Sequence, residues 1–247
     1  MWTHQLLQPL PPHNLFFNSY SPSNLTKFPS FVKLNSTHNT KNHNGTVNST
    51  KITLEELPPN ALQMEKEADW ICGFSLGIDL GMARTGLALS KGFSVRPLTV
   101  LELRGQKLEL RIMNIAEQEE ADEFIIGLPK SSDGKETTQS KIIRSIAGRL
   151  AVRAAERGWR VYLQDEYGTT TTAMDRMIDM GLSKSARQNK LDAYAATMLL
   201  ERYFSTSGQK TELVVPKNLE LQGKLRKGPP KDEDFFSDDD DFFPDED

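Results

Sequence analysis

Between residues 74 and 204 the apolar side chains switch repeatedly between strand-like alternation and helical spacing. That switching limits the chain to few folds. FSLGIDL (74–80), GLALSK (86–91) and SVRPLTVLE (95–103) read as three strands joined by short turns. Gly81 and Gly86 bracket the first turn, where a positive φ is cheap only for glycine. Pro97 cannot donate to a ladder, which places the third strand at an edge or puts Pro97 at its start. A helix follows over about 106–119, with Leu110, Met113 and Ala116 at helical spacing. EFIIG (123–127) is a strand, and a helix over about 138–157 sets Ile142, Ile143, Ile146 and Leu150 on one stripe. RVYLQD (160–165) is the fifth strand, before helices over about 170–180, closed by Gly181, and 187–204. Strands reached through helical crossovers run parallel. The expected fold is therefore α/β, a mixed five-stranded sheet with three antiparallel strands and then parallel ones, flanked by helices.

Composition divides the rest of the chain. Residues 1–54 hold four lysines, no arginine, no acid and all four histidines (His4, His13, His38, His43). Their bias to Asn, Ser, Thr and Pro reads as an organelle transit peptide or a disordered tail, with a chloroplast favoured over a mitochondrion. Residues 231–247 carry ten acids against one lysine and read as a disordered tail. Its Phe235-Phe236 and Phe242-Phe243 pairs suggest docking to a protein partner, or a mimic of nucleic acid that covers a basic site. One domain is expected over about 70–205, with 206–230 a linker holding a strand-like piece at 212–215. The single cysteine, Cys72, rules out an internal disulfide and favours a reducing compartment. No apolar run is long enough to span a membrane. A domain without histidine has no Ser-His-Asp triad, no Cys-His pair and no His-ligated zinc. Its catalysis would rest on carboxylates, Lys or Arg, hydroxyls, or a metal held by oxygen.

Ligands in such sheets bind beyond the carboxyl ends of the strands. Asp79 is near that end of the first strand, GLPKSSDG leaves that end of the fourth, and Asp165-Glu166 closes the fifth. Alternation sets Asp79 on the face of Ser75 and Gly77, whose small side chains leave room for a ligand or a packed helix. Asp79 could equally support the turn at Gly81. Asp192 shares a helix face with Ala195, Ala196 and Leu199, and nothing three or four residues away can neutralise it. A half-buried carboxylate needs a cation, either a distant arginine or a bound metal. Asp165 and Glu166 leave their strand on opposite faces; Glu166 is favoured as the metal-side acid. Three acids suit Mg2+ or Mn2+, which prefer carboxylate, water and phosphate oxygens. Two such ions can activate water and stabilise the leaving oxygen of a phosphodiester. Lys184, Arg187 and Lys190 precede Asp192, Lys130 and Lys135 lie after the fourth strand, and Arg84 is in the first turn. Each alone reads as solvated surface; together on one edge they suggest contacts to a phosphate backbone.

The chain resembles the YqgF family of Holliday-junction-resolvase-like proteins. The matching segments are GIDLGMARTGLALS (77–90), IIGLPKSSDG (125–134), DEYGTT (165–170) and NKLDAYAA (189–196). The resemblance implies a ribonuclease H-like fold and a metal-dependent nuclease that matures the small-subunit (16S-type) ribosomal RNA precursor. It gives Asp79, Glu166 and Asp192 the acidic, metal-holding positions. The family usually has Arg after the Asp-Glu pair, where Tyr167 stands here. Tyr167 and the acidic tail keep open a second reading, a catalytically weak module that binds nucleic acid or a partner in ribosome assembly or transcription. Branched DNA is the less favoured substrate of the nuclease reading, and a homodimer is compatible with the sequence. An actin-like ATPase needs two such domains, and this chain has one and lacks GxxxxGK[ST].

Overall fold

The structure is a computed structural model that describes residues 52–66, 73–91, 94–131, 133–166 and 168–230. The transit-peptide reading (apart from residues 52–54), Tyr167 and the acidic tail lie outside the described residues.

Strands β1 (Phe74–Leu80), β2 (Thr85–Lys91) and β3 (Ser94–Leu101) form an antiparallel meander. Pro97 lies on β3, at the sheet edge, where the pairing with β2 shifts register. Helix α2 (Gly105–Gln118) then carries the chain back to β4 (Ala121–Leu128), which runs parallel to β1. Helix α3 (Thr138–Ala155) does the same for β5 (Arg160–Asp165), parallel to β4. Thr137 and Ser140 cap α3 reciprocally, each accepting from the other's backbone N–H. Helices α4 (Thr169–Asp179) and α5 (Lys184–Ser205) follow, and the Ser183 hydroxyl accepts from the Ala186 N–H to start α5. The mixed α/β fold read from the periodicity is the fold observed.

Alternation along β1 sends its side chains to two different layers. Leu76, Ile78 and Leu80 pack with Phe124 and Ile126, and with Ile112 of α2 and Ile143 and Leu150 of α3. On the other face Ala88, Ile125 and Tyr162 pack with Ala196, Leu199, Leu200 and Tyr203 of α5. A Cβ on Gly77 would stand 2.9 Å from the Ala196 carbonyl oxygen, so α5 lies almost against the sheet. None of the described helices is long and apolar enough to cross a membrane.

The structure differs from expectation at both borders of the domain. Residues 206–230 are not a linker: they form β6 (Glu212–Leu213), antiparallel to β5, and α6 (Leu219–Lys227). The sheet therefore has six strands, in the order β3-β2-β1-β4-β5-β6. Leu213, Leu221 and Leu225 are buried against the α5 side of the core. Ahead of the expected start at residue 70, Ile52 and Leu57 are also buried there, and α1 (Asn60–Lys66) crosses the amino ends of the strands. The fully buried Glu123 accepts from the Asn60 N–H (2.8 Å), the Ser75 hydroxyl (2.8 Å) and the Tyr203 hydroxyl (2.7 Å). Arg160 donates to the Pro58 carbonyl (2.8 Å), Asn60 Oδ1 (2.7 Å) and Asp122 (2.9 Å). The strap thus supplies partners for charges that the sheet buries.

Candidate active site

The opposite, carboxyl end of the sheet gathers the acids. Ile78 of β1 is level with Ile126 of β4, and Gly127 is level with Gln164 of β5. Asp79, one residue beyond Ile78, therefore has glycine on both sides: Gly86, its partner on β2, and Gly127 on β4. Each glycine admits something. A Cβ on Gly86 would lie 1.9 Å from the Asp192 carbonyl oxygen, so the backbone of α5 sits in that gap. A Cβ on Gly127 would lie 2.6 Å from Glu166 Oε2, so the Glu166 side chain fills the other. Two missing side chains bring a helix acid and a strand-end acid to Asp79.

Glu166 leaves β5 with its N–H still bonded to the Leu128 carbonyl (3.3 Å). Its carbonyl accepts from the Thr169 N–H (3.2 Å), and Gly168, at φ 75°, turns the chain into α4. Its carboxyl shares a hydrogen bond with Asp79. Burial, then the neighbouring charge of Asp79 and that hydrogen bond, push Glu166 up to about 9. Burial also raises Asp79, against the lowering effect of the Glu166 hydrogen bond, and the charge of Asp192 raises it further. The two carboxyls therefore resist ionising together; a proton on the pair relieves the repulsion, and Glu166, the more strongly raised, is the better placed to carry it.

Asp192 is beside Asp79 but paired elsewhere. Arg84 Nε lies 2.8 Å from Asp192 Oδ2, and Arg84 Nη1 donates to the Gln188 carbonyl one turn earlier in α5 (3.0 Å). Oδ2 is buried and receives no directed hydrogen bond among the described residues. Asp165 is 3.4 Å from Lys130 Nζ. Lys135 pairs with Asp133 (2.7 Å) in the same exposed loop. Arg187 donates to the Leu182 carbonyl (2.6 Å), and Lys184 and Lys190 are exposed on the first turns of α5. Arg84, read from the sequence as a phosphate contact, is thus the distant arginine that Asp192 called for. Gln164, level with Gly127 and buried with an unpartnered Oε1, adds a polar group that sequence reasoning passed over.

Among the described residues no three His, Cys, Asp or Glu side chains stand close enough together to hold a metal ion. The donor chemistry nonetheless fits a hard divalent cation. Asp79 and Glu166 face each other and resist ionising together, and Asp192 Oδ2, ion-paired but without a directed hydrogen bond among the described residues, offers a third carboxylate oxygen nearby. A cation between them would remove the repulsion that keeps a proton there.

Comparison with known proteins matches the stretch that carries these acids. A family described as "RuvX: Holliday junction resolvase" matches residues 73–206. A protein of Nitratidesulfovibrio vulgaris is 32% identical over 133 residues, which cover 53% of this chain and 92% of that protein. One of a Nocardioides species is 35% identical over 140 residues, covering 54% and 88%. One of an Anaeromyxobacter species is 36% identical over 129 residues, covering 51% and 92%. All three bear the name "Putative pre-16S rRNA nuclease". The structure "T. thermophilus RuvC in complex with Holliday junction substrate" aligns at a TM-score of 0.40 and 17% identity, over 57% of this chain and 99% of that chain, too loose a likeness to build on. The family match runs from β1 through α5 and takes in Asp79, Glu166 and Asp192, and by it this chain is a member of the RuvX family.

Proposed function

We propose that the chain is a nuclease that hydrolyses phosphodiester bonds in structured RNA, with the small-subunit ribosomal RNA precursor as substrate and Mg2+ or Mn2+ as cofactor. The observation that carries this reading is the facing Asp79–Glu166 pair at the carboxyl edge of the sheet, Asp79 buried and Glu166 half-buried, with Asp192 next to Asp79. Asp79, Glu166 and Asp192 would hold the ion. When bound, it supplies an activated water and stabilises the leaving oxygen. The chain's own part is to fix the three carboxylates on rigid elements and keep water from Asp79, which is 9% exposed. Lys130 on one side and Lys184, Arg187 and Lys190 on the other would meet backbone phosphates. The names borne by the relatives support RNA over branched DNA as substrate. The composition of residues 1–54 supports an organelle as the place of work, a chloroplast before a mitochondrion.

Tyr167 favours one second reading, a module that binds RNA or an assembly partner and cuts weakly. The test is the full chain on precursor ribosomal RNA and on a four-way DNA junction, with Mg2+ or Mn2+. Metal-dependent RNA cleavage that falls at least about 100-fold in a folded Asp79→Asn variant supports the nuclease. RNA binding with no cleavage of either substrate supports the module. Cleavage of the junction alone replaces RNA with DNA.

A further inference from the structure

We infer that Arg84 is a positioning residue: it holds Asp192 until a divalent cation takes that carboxylate, and its guanidinium then turns to a phosphate of the substrate. The inference rests on the metal-dependent reading above.

Three observations lead to it. Firstly, Arg84 is the ion-pair partner of Asp192, the acid outside the Asp79–Glu166 pair. Its Nε lies 2.8 Å from Oδ2, yet that oxygen receives no directed hydrogen bond among the described residues. The pair is held by charge rather than by a matched fork of hydrogen bonds, so another cation can replace it. Secondly, the two partners differ in freedom. The backbone of Asp192 is wedged into the gap at Gly86 and cannot retreat without lifting α5 from the sheet. The Arg84 side chain is 33% exposed and sits in the β1–β2 turn, pinned by a Gly81 N–H to Arg84 carbonyl bond of 3.0 Å that leaves the side chain free to swing. Exchange therefore moves the arginine and leaves the acid in place. Thirdly, Arg84 Nη1 rests on the Gln188 carbonyl in the turn of α5 that bears Lys184, Arg187 and Lys190. A guanidinium released there stays on the cationic edge, where its planar donors match a phosphate.

One device would serve two ends. Without metal, Arg84 neutralises a half-buried acid whose Oδ2 is out of reach of solvent. With metal and substrate, the same charge is transferred to the nucleic acid, so metal binding and phosphate binding favour each other.

The test is direct Mn2+ binding to the full chain, by calorimetry, without nucleic acid. Arg84→Gln removes the competing charge and is expected to tighten Mn2+ binding about two- to fivefold, the size of a partly exposed ion pair. Arg84→Lys restores the charge and is expected to stay within about twofold of wild type. With Mn2+ present, the salt dependence of RNA affinity is expected to be shallower in Arg84→Gln by about one phosphate contact, ~0.9 in log–log slope; without Mn2+ the two slopes coincide. Thermal melting of each variant checks that it is folded. If Asp79→Asn abolishes Mn2+ binding while Arg84→Gln leaves it unchanged, or if Gln and Lys tighten it equally, Arg84 is a static ion pair and the inference fails alone. If the wild-type chain and every variant bind no Mn2+, the inference and the metal-dependent reading fail together.

Discussion

Asp79 lies between Gly86 and Gly127, and the two glycines differ in what a methyl group would strike. At Gly86 it would strike backbone, the Asp192 carbonyl at 1.9 Å, which cannot move unless α5 moves. At Gly127 it would strike the end of the Glu166 side chain, which can rotate away. Gly86→Ala is therefore expected to cost at least about 1–3 kcal/mol of stability, the usual penalty for overpacking, read by denaturant unfolding. Gly127→Ala is expected to melt close to wild type yet lose Mn2+ binding, because it displaces a donor without disturbing a layer. Equal destabilisation by both would contradict this division. The Asp79–Glu166 pair makes a second prediction at this scale. Glu166 is held protonated well above an unfolded glutamate, so its contribution is complete below about pH 4.5 and is lost as pH rises towards about 9. In chelator, Glu166→Gln should gain stability over wild type as pH rises through that window, followed as melting temperature at pH 5, 7 and 9. A constant gap would mean the pair carries no such proton. Asp79, Glu166 and Asp192 stand out in the sequence because carboxylates at strand ends and on an inward helix face are costly. The Arg84 pairing does not, since Arg84 and Asp192 lie far apart in the chain and meet only through the packing of α5 on the meander.

The elements least visible in the sequence are those that flank the family unit. Strap residues 52–66 place Asn60 between Glu123 and Arg160, with Tyr162 donating to the Leu57 carbonyl (2.9 Å). Asn60→Ala keeps the backbone bond to Glu123 but removes the side-chain acceptor of Arg160. It should cost about 1–3 kcal/mol by leaving a buried donor unpaired, measured by urea unfolding. A cost near zero would show that the strap covers the sheet without completing it. Composition hid this segment because its apolar anchors, Ile52, Leu57 and Ala61, are separated by prolines and charges with no single period. Helix α6 was hidden similarly: its buried leucines, Leu221 and Leu225, sit among lysines and a glutamate that read as linker. Leu225, 2% exposed, is its anchor, and Leu225→Ala should cost about 2–5 kcal/mol if α6 belongs to the fold. The five main strands and four of the helices were legible because each carries its own period. β6, legible only as a strand-like piece at 212–215, takes its order from β5, and α6 takes its order from α3, which no local pattern reports.

At the scale of the whole molecule, the sheet buries unlike charge clusters at its two ends. At the amino end every charge is matched, Glu123 by three donors and Arg160 by the strap. At the carboxyl end Asp79 and Glu166 resist ionising together, and Asp192 leans on a partly exposed arginine. Only the second end gains from an added cation. Mg2+ or Mn2+ should therefore raise the melting temperature of the full chain more at pH 8 than at pH 5, since binding must expel the proton on that pair. Asp79→Asn should abolish the effect. An equal rise at both pH values would place the ion elsewhere. The closed end limits where the proposed leader could be cut away. The acid-free stretch ends at residue 54, a natural place to imagine a leader being cut away, yet a cut there would pull Ile52, 1% exposed, out of the core. If the leader proposed for this segment is removed, the amino terminus that removal leaves, read by mass spectrometry, should accordingly fall before Ile52, since Ile52 is already part of the fold.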